Sequence, residues 1–380
     1  MAPDMASTAR EVAVKLSRDG DRGVDGPLKG HHHEAYAIVL PPENPLGEGY
    51  VRGKLRMRRE GLLWFDRRTF ASEDELLIAL RGRVSRIPEC AEFTAGLFLQ
   101  GFVEGRTLRE GRFGLGRMAE HHVRQLGKLF GEMAAVKHGE LTLETHFVDA
   151  SWPPVRDGDT PGFLGGMVDF TQDEVYEKNR GEFGSLFDRL GVSATSLNGL
   201  RERARTLAER PFSLVHGDLH RRNLIVDSRG DLWFIDWELA MIGDPLYDLA
   251  THLHLMNYPE CDALRVKKVW REAVEAARPG ASNAWERDLP HLLAFKQAQS
   301  VFTDVIRTAV ALQLGAGALA LMAGVGAAAG PGPGLLRLAR AARKVQRVLA
   351  VAKDALGLPA VPTRRRIREA YGEWLRGRRV

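Results

Sequence analysis

Cysteine is nearly absent. Cys90 and Cys261 are the only two in 380 residues, far apart and without metal-ligand spacing. Their scarcity excludes a disulfide framework and a thiolate zinc site, and it fits a reducing compartment. The first thirty residues contain no apolar core that could serve as a signal peptide, so the cytoplasm is the expected location. Strongly apolar runs are missing too. Residues 308–336 carry no charge, but alanine and glycine dominate them, whereas a membrane span needs about 20 clearly apolar residues. A packed or loosely ordered segment is the expectation there. Acidic side chains are scarce at the C-terminal end, where residues 331–380 hold 13 Lys/Arg against 3 Asp/Glu.

What is present reads as globular. Hydrophobic content of 44% and charged content of 27% are ordinary for a soluble protein, and the length suffices for two lobes with sizeable cores. The net charge of +5 is unevenly spread: residues 1–110 balance at 17 and 17, while residues 111–330 carry a net −5. An acidic central region favours a cationic substrate.

The most informative stretch is Val215-His216-Gly217-Asp218-Leu219-His220-Arg221-Arg222-Asn223-Leu224-Ile225-Val226, followed by Leu232-Trp233-Phe234-Ile235-Asp236-Trp237-Glu238. Short apolar runs at 212–215, 224–226 and 232–235, with turn residues Ser228 to Asp231, predict a strand, a polar loop and a hairpin. The hairpin would place Asn223 and Asp236 at neighbouring strand ends, with Asp218 just ahead. Phosphoryl transfer needs a positioned nucleophile and charge neutralisation by Mg²⁺, which takes hard oxygen ligands. Asn223 and Asp236 can supply such oxygens, leaving Asp218 to accept the proton of an attacking hydroxyl. Asp, four intervening residues, Asn, then a strand-borne Asp is the kinase catalytic order.

With Gly243-Asp244-Pro245-Leu246-Tyr247-Asp248-Leu249-Ala250 added, these motifs resemble the aminoglycoside phosphotransferase family, which is related to choline kinases. The match is dense over 212–252 and at pattern level over roughly 28–258. It implies an α+β, two-lobed protein-kinase-like fold with a small β-rich N-lobe and a larger, mainly helical C-lobe. The expected division is a nucleotide-binding N-lobe at 27–105, a catalytic and substrate-binding C-lobe at 106–330, and a basic helix and tail at 331–380. Residues 1–26, polar and without sustained periodicity, are expected to be a flexible arm. Within the resemblance Asp218 is the base, His216 braces the loop, and Asn223 and Asp236 hold metal. Asp244 and Asp248 are expected to hold the following helix, Asp244 as a cap. Arg221-Arg222 stand where the family often has Pro-Gly; they meet phosphate or an acidic substrate group, or form a solvated loop face.

The nucleotide side is thinner in signal. The resemblance places Gly30 in the turn that covers the nucleotide phosphates, where backbone N–H groups cradle phosphate; His31 to His33 beside it face substrate or simply make a polar turn. Lys54 is the candidate strand lysine for the α/β-phosphates, with Glu73 as its helix partner. Ser72 and Glu75 make a capping box that starts that helix. The family's adenine-binding hinge falls on Leu97 to Leu108, with backbone contacts at about Gln100 and Phe102. Asp157, Asp159, Asp169, Asp173, Glu174, Glu177 and Glu182 form an acidic stretch that dresses a substrate site or a solvated surface. Residues 338, 342, 345, 349, 352 and 356 give an apolar stripe on a basic helix, which docks on the protein body or binds an acidic partner.

These readings converge on an ATP- and Mg²⁺-dependent phosphotransferase acting on a hydroxyl of a small cationic molecule such as an aminoglycoside-like antibiotic. Two rivals stand beside it. One is a Ser/Thr kinase acting on a precursor peptide in natural-product (lanthipeptide-like) maturation, its basic tail holding an acidic leader. The other is a nucleotide-binding scaffold without turnover. No nucleic-acid partner and no membrane span are expected.

Overall fold

The structure, a computed structural model, describes residues 5–28, 33–47, 49–59, 63, 65–94, 96–108, 117–145, 155–323 and 332–378. In chain order the first elements are α1 (Met5–Leu16), β1 (Val24–Asp25), β2 (His33–Val39), β3 (Arg52–Arg58), α2 (Glu73–Ala79), β4 (Cys90–Thr94), β5 (Leu97–Gly101), β6 (Arg106–Thr107) and α3 (Glu120–Ala135). Three helices follow: α4 (Thr160–Phe170), α5 (Arg180–Leu190) and α6 (Asn198–Ala204). Then come β7 (Ser213–Val215), β8 (Leu224–Val226), β9 (Leu232–Phe234), β10 (Met241–Gly243), α7 (Pro245–Met256) and α8 (Glu260–Ala277). The chain ends with α9 (Trp285–Ala323), α10 (Gly332–Val351) and α11 (Arg364–Arg376).

Two compact units form: Met1–Leu63 with Arg68–Pro153 and Arg210–Ser282, and Trp64–Arg67 with Pro154–Glu209 and Asn283–Val380. The first contains a five-stranded sheet in the order β1-β2-β3-β5-β4, with every recorded pairing antiparallel. β2 and β3 run in register from His33 opposite Arg58 to Val39 opposite Arg52.

Nearly all of β2 is buried, including residues that alternation alone would put outside, because α1 covers the sheet. Ala9 and Ala13 are buried against Tyr36, Ile38, Leu40, Leu55 and Leu99, with Val12 and Leu16 packed beside them. Residues 5–16 are therefore a packed helix and not part of a flexible arm. Positions 9, 12, 13 and 16 share one face at helical spacing. Alanines at two of them lowered the apparent hydrophobicity of that face, yet their small side chains let the helix lie close to the strands.

In the same unit, β8 and β9 form the hairpin and β6 joins it, while β7 pairs with β10. Helix α3 packs on α8 through Gly127 and Gly131. A Cβ at Gly127 would lie 3.1 Å from Val269, so the helices approach at glycine distance there.

The second unit is helical. Phe183, Phe187, Tyr176 and Phe302 are fully buried in it, with Tyr176 edge-on to both Phe187 and Phe302. Helices α10 and α11 belong to this core. Ala342, Val345, Leu349, Ala352 and Leu356 are buried, Tyr371 Oη donates to Val305 O at 3.0 Å, and Trp374 stacks on Phe183. The basic C-terminal segment thus docks on its own unit and leaves Arg337, Arg340, Arg343 and Arg347 outward. No helix among the described residues is long and apolar enough to cross a membrane.

Ala13, fully buried on the sheet-facing side of α1, tests this packing. Ala13→Arg is expected to lower unfolding stability by more than about 2 kcal/mol, through overpacking and a buried charge. Lys15→Ala on the exposed face should change it by less than about 0.5 kcal/mol. Urea unfolding monitored by circular dichroism reads both, and equal effects would refute the packed helix.

Candidate active site

The site is built by the hairpin. Leu224 stands opposite Phe234, and Ile235 N–H donates to Asn223 O at 3.0 Å, so Asp236 leaves the strand beside Asn223. The turn closes at Gly230 with φ of 83°. Ahead of the hairpin, Gly217 has φ of 76°, and a Cβ there would lie 2.6 Å from Leu239 O; only glycine fits. Asp236 itself has φ of 69°, a left-handed conformation that a non-glycine residue holds only under constraint from its surroundings.

His216 fixes the loop from inside. Its Nδ1 accepts the Asp218 N–H at 3.3 Å, which leaves Nε2 protonated to donate to Ile235 O at 3.2 Å. The ring therefore ties the Asp218 loop to the residue preceding Asp236. Complete burial pushes its pKa down to about 3, so the imidazole is neutral.

Helix α7 holds the same loop through one face. Asp244 caps the helix, accepting Leu246 N–H at 2.9 Å, and forms a fully buried bidentate pair with Arg210. Four residues on, Asp248 accepts the N–H groups of His216 at 3.1 Å and Gly217 at 2.9 Å. Asp248 therefore holds the loop and not its own helix as expected; it lies a full turn past the cap, beyond the open N–H groups. Four residues further, His252 Nδ1 lies 2.8 Å from Leu219 O, and burial pushes its pKa down to about 4.

Within the loop, Asn223 Nδ2 donates to Asp218 O at 2.9 Å and to Asp218 Oδ2 at 3.1 Å. The side chains of Asp218 and Asn223 thus meet, and Asn223 keeps Oδ1 as an oxygen donor for a cation. His220 Nε2 lies 3.9 Å from Asp218 Oδ2. Arg221 packs inward, its Nη2 3.3 Å from Met256 O, while Arg222 is exposed.

Asp236 is half-buried among carboxylates. Ligand oxygens of Glu73, Asp236 and Glu238 all lie within 4.8 Å of one another. Burial, then the charges of Glu73 and Glu238, push the Asp236 carboxyl up to about 7, and Lys54 and Arg56 oppose the rise. Hard oxygen donors crowded enough to repel one another fit Mg²⁺. Glu238 also meets Arg68 at 2.7 Å and His33 at 3.3 Å.

The nucleotide side departs from expectation in three places. Glu73 pairs with Arg56, not Lys54. Both cations share one face of β3, but Arg56 is the one beside the start of α2, and the Lys54 ammonium makes no ion pair among the described residues. Phe102 N–H is committed to Arg52 O at 3.1 Å, which removes it as an adenine donor, because β3 extends far enough to capture it. Gln100, 2% exposed, lies in the sheet opposite Lys54 and Cys90 and turns its amide to Asp74 at 2.8 Å. Gly30 lies outside the described residues.

Sequence reasoning missed Arg56 and Arg210 as site-building residues. An arginine two places after a candidate lysine, on the same strand face, was the available signal for the first. The second is a long-range partner with no local mark.

Residues 67–295 match the model of a phosphotransferase enzyme family. A comparison with curated protein sequences gives no match. Among solved structures, the chain is similar to an ethanolamine kinase from Plasmodium vivax, at 12% identity and a TM-score of 0.50, over 94% of this chain and 89% of that one. It is also similar to a choline kinase from Streptococcus pneumoniae, at 14% identity and a TM-score of 0.48, over 92% and 99% of the two chains. A macrolide 2′-phosphotransferase from Brachybacterium faecium gives 16% identity and a TM-score of 0.47, over 80% and 94%. At such identity the first likeness speaks for the fold alone, and the fold is the two-lobed, protein-kinase-like α+β fold.

The two buried neutral histidines have a pH signature. Both native pKa values lie below the unfolded value of 6.5, so below that pH the unfolded chain takes up protons that the native protein does not. Stability is complete above 6.5 and falls with acidification toward the native values. In urea unfolding between about pH 6 and 5, His252→Asn should flatten the fall by about 1 kcal/mol per pH unit. An unchanged slope would mean that His252 is protonated in the native state.

Proposed function

The chain belongs to the phosphotransferase enzyme family and is a kinase-type phosphotransferase; we propose that it moves the γ-phosphoryl group of ATP to a hydroxyl of a small, amine-bearing molecule. The observation that carries this reading is the Asp218–Asn223–Asp236 arrangement, in which one loop and one strand end bring an acid, an amide and a half-buried acid together.

Asp218 orients the acceptor hydroxyl and takes its proton as the new bond to the γ-phosphorus forms and the bond to the leaving ADP oxygen breaks. Asn223 Nδ2, donating to Oδ2 of that carboxylate, sets its orientation. His216 contributes no proton; its neutral ring keeps the Asp218 loop and the Asp236 strand end in step. Asn223 Oδ1 and the Asp236 carboxylate would hold Mg²⁺, with Glu238 beside them. The ion supplies charge neutralisation at the transferred phosphoryl group. Lys54, on β3, is assigned to the nucleotide phosphates, and its charge acts at Asp236.

The amine-bearing acceptor follows from the net −5 of residues 111–330. Much of the acidic stretch is already spent within its own unit: Asp169 pairs with Arg201, Glu174 with Lys178, Glu177 with Arg180 and Glu182 with Arg378. Asp173 is the exception to follow. Burial, then the charge of Asp169, raises its carboxyl above the usual range.

The test is Mg²⁺-dependent ADP formation by the purified protein against a panel of amine-bearing hydroxyl compounds and, separately, a Ser/Thr-rich peptide pool. Amine-dependent stimulation that Asp218→Ala lowers at least about a thousandfold, with nucleotide affinity within about threefold of the parent, is expected. Stimulation by peptides alone would replace the small-molecule acceptor, and a fully active Asp218→Ala would overturn the assignment of the base.

A further inference from the structure

In kinase-type folds one strand lysine does two jobs, holding the α/β-phosphates and pairing with a helix glutamate. We propose that this chain divides those jobs: Arg56 is a positioning residue that locks α2, β5 and the Asp236 strand end together, and Lys54 alone meets the phosphates. The inference rests on the nucleotide-dependent reading above and deepens it.

The lock is a continuous buried network. Arg56 Nη1 bonds to Glu73 Oε2, and Arg56 Nη2 bonds to Asp74 Oδ2 at 2.8 Å. The three side chains are 8%, 2% and 14% exposed. On one side, Asp74 Oδ1 accepts from Gln100 Nε2 at 2.8 Å and faces Cys90 Sγ at 3.5 Å, which ties the helix to β5 and β4. On the other, Glu73 Oε1 accepts the Trp237 N–H at 3.0 Å, immediately after Asp236. A path of hydrogen bonds thus runs from β5 through Asp74, Arg56 and Glu73 to the residue beside Asp236.

Geometry explains why an arginine is used. Glu73 and Asp74 are consecutive, so their carboxylates reach one cation from slightly different directions. A planar guanidinium offers separate nitrogens to both, whereas an ammonium is a compact point charge. Both outer nitrogens of Arg56 are taken by this task, and its Nε is buried. With two carboxylates on its outer nitrogens, it is poorly placed to bind phosphate as well. Lys54 lies two residues earlier on the same face of β3, has no ion pair among the described residues, and is close enough to act electrostatically on Asp236. Removing Arg56 would disturb Asp236 through Glu73, without touching the nucleotide.

The experiment compares the parent with Lys54→Met, Arg56→Lys, Arg56→Met and Asp74→Asn. Calorimetry reads binding of the Mg²⁺ complex of a non-hydrolysable ATP analogue, ADP formation from ATP gives kcat and KM, and thermal unfolding reports on folding. Lys54→Met should weaken analogue binding at least about tenfold and raise KM, with Tm close to the parent's. Asp74→Asn and Arg56→Lys should bind the analogue within about threefold of the parent, yet lower kcat at least about tenfold and require more Mg²⁺. Should Arg56→Met fail to fold, Asp74→Asn, which keeps shape and removes one charge, carries the test.

Two outcomes overturn the division. One is Arg56→Lys with parental kcat and Mg²⁺ requirement. The other is Arg56→Lys losing analogue affinity as severely as Lys54→Met, which would make position 56 the phosphate residue. A parent protein that binds no nucleotide would sink the proposed function, and the division with it.

Discussion

A half-buried carboxylate that has no room to ionise comfortably organises this site. Asp236 sits beside Glu73 and Glu238 in a poorly solvated position, and like charges that close repel strongly. The surrounding structure answers with cations: Arg56 on Glu73, Arg68 on Glu238, and Lys54 near Asp236 itself. The balance is incomplete, since the Asp236 carboxyl still sits at about 7. That remaining deficit of positive charge is what makes the cluster suited to a divalent cation. Stability and function pull against each other here, and the left-handed backbone of Asp236 belongs to the same compromise.

Around that cluster, rigidity comes from groups that carry no charge or whose charge is fully matched. His216 and His252 are neutral because burial forbids the imidazolium, and each spends its ring nitrogens on fixed partners. Arg210 and Asp244 are charged but wholly enclosed by one another, an arrangement that tolerates loss of neither partner. Spaced four residues apart, Asp244, Asp248 and His252 turn one face of α7 into a rail along which the Asp218 loop is clamped. The loop is thereby held by backbone contacts, while the Asp218 carboxylate meets Asn223.

The second unit shows a different use of charge. Its acidic side chains are largely paired with arginines and lysines of the same unit, and the basic C-terminal helices supply some of those partners, as in Arg378 with Glu182 and Lys344 with Asp304. A segment that reads as a basic tail in isolation is, in the fold, a counter-charge for carboxylates remote in sequence. Its apolar stripe is buried for the ordinary reason that α9 and α11 offer apolar surface.

Legible in the sequence is whatever depends on neighbours a few residues apart. The hairpin of β8 and β9 and the Ser72 cap of α2 belong there because turn residues and caps act locally. The acid, amide and acid of the candidate site were legible for the same reason, since a single loop and its hairpin carry all three. The Arg56 pairing with Glu73 and Asp74, the Asp248 grip on the loop and the packing of α1 were not. Each joins residues brought together only by folding, and each replaced a plausible local alternative: Lys54 for Arg56, a hold on its own helix for Asp248, a polar arm for Ala9 and Ala13. Spacing along the chain ranks such candidates equally, and the tertiary structure chose among them because pairing and packing depend on which groups meet across the fold.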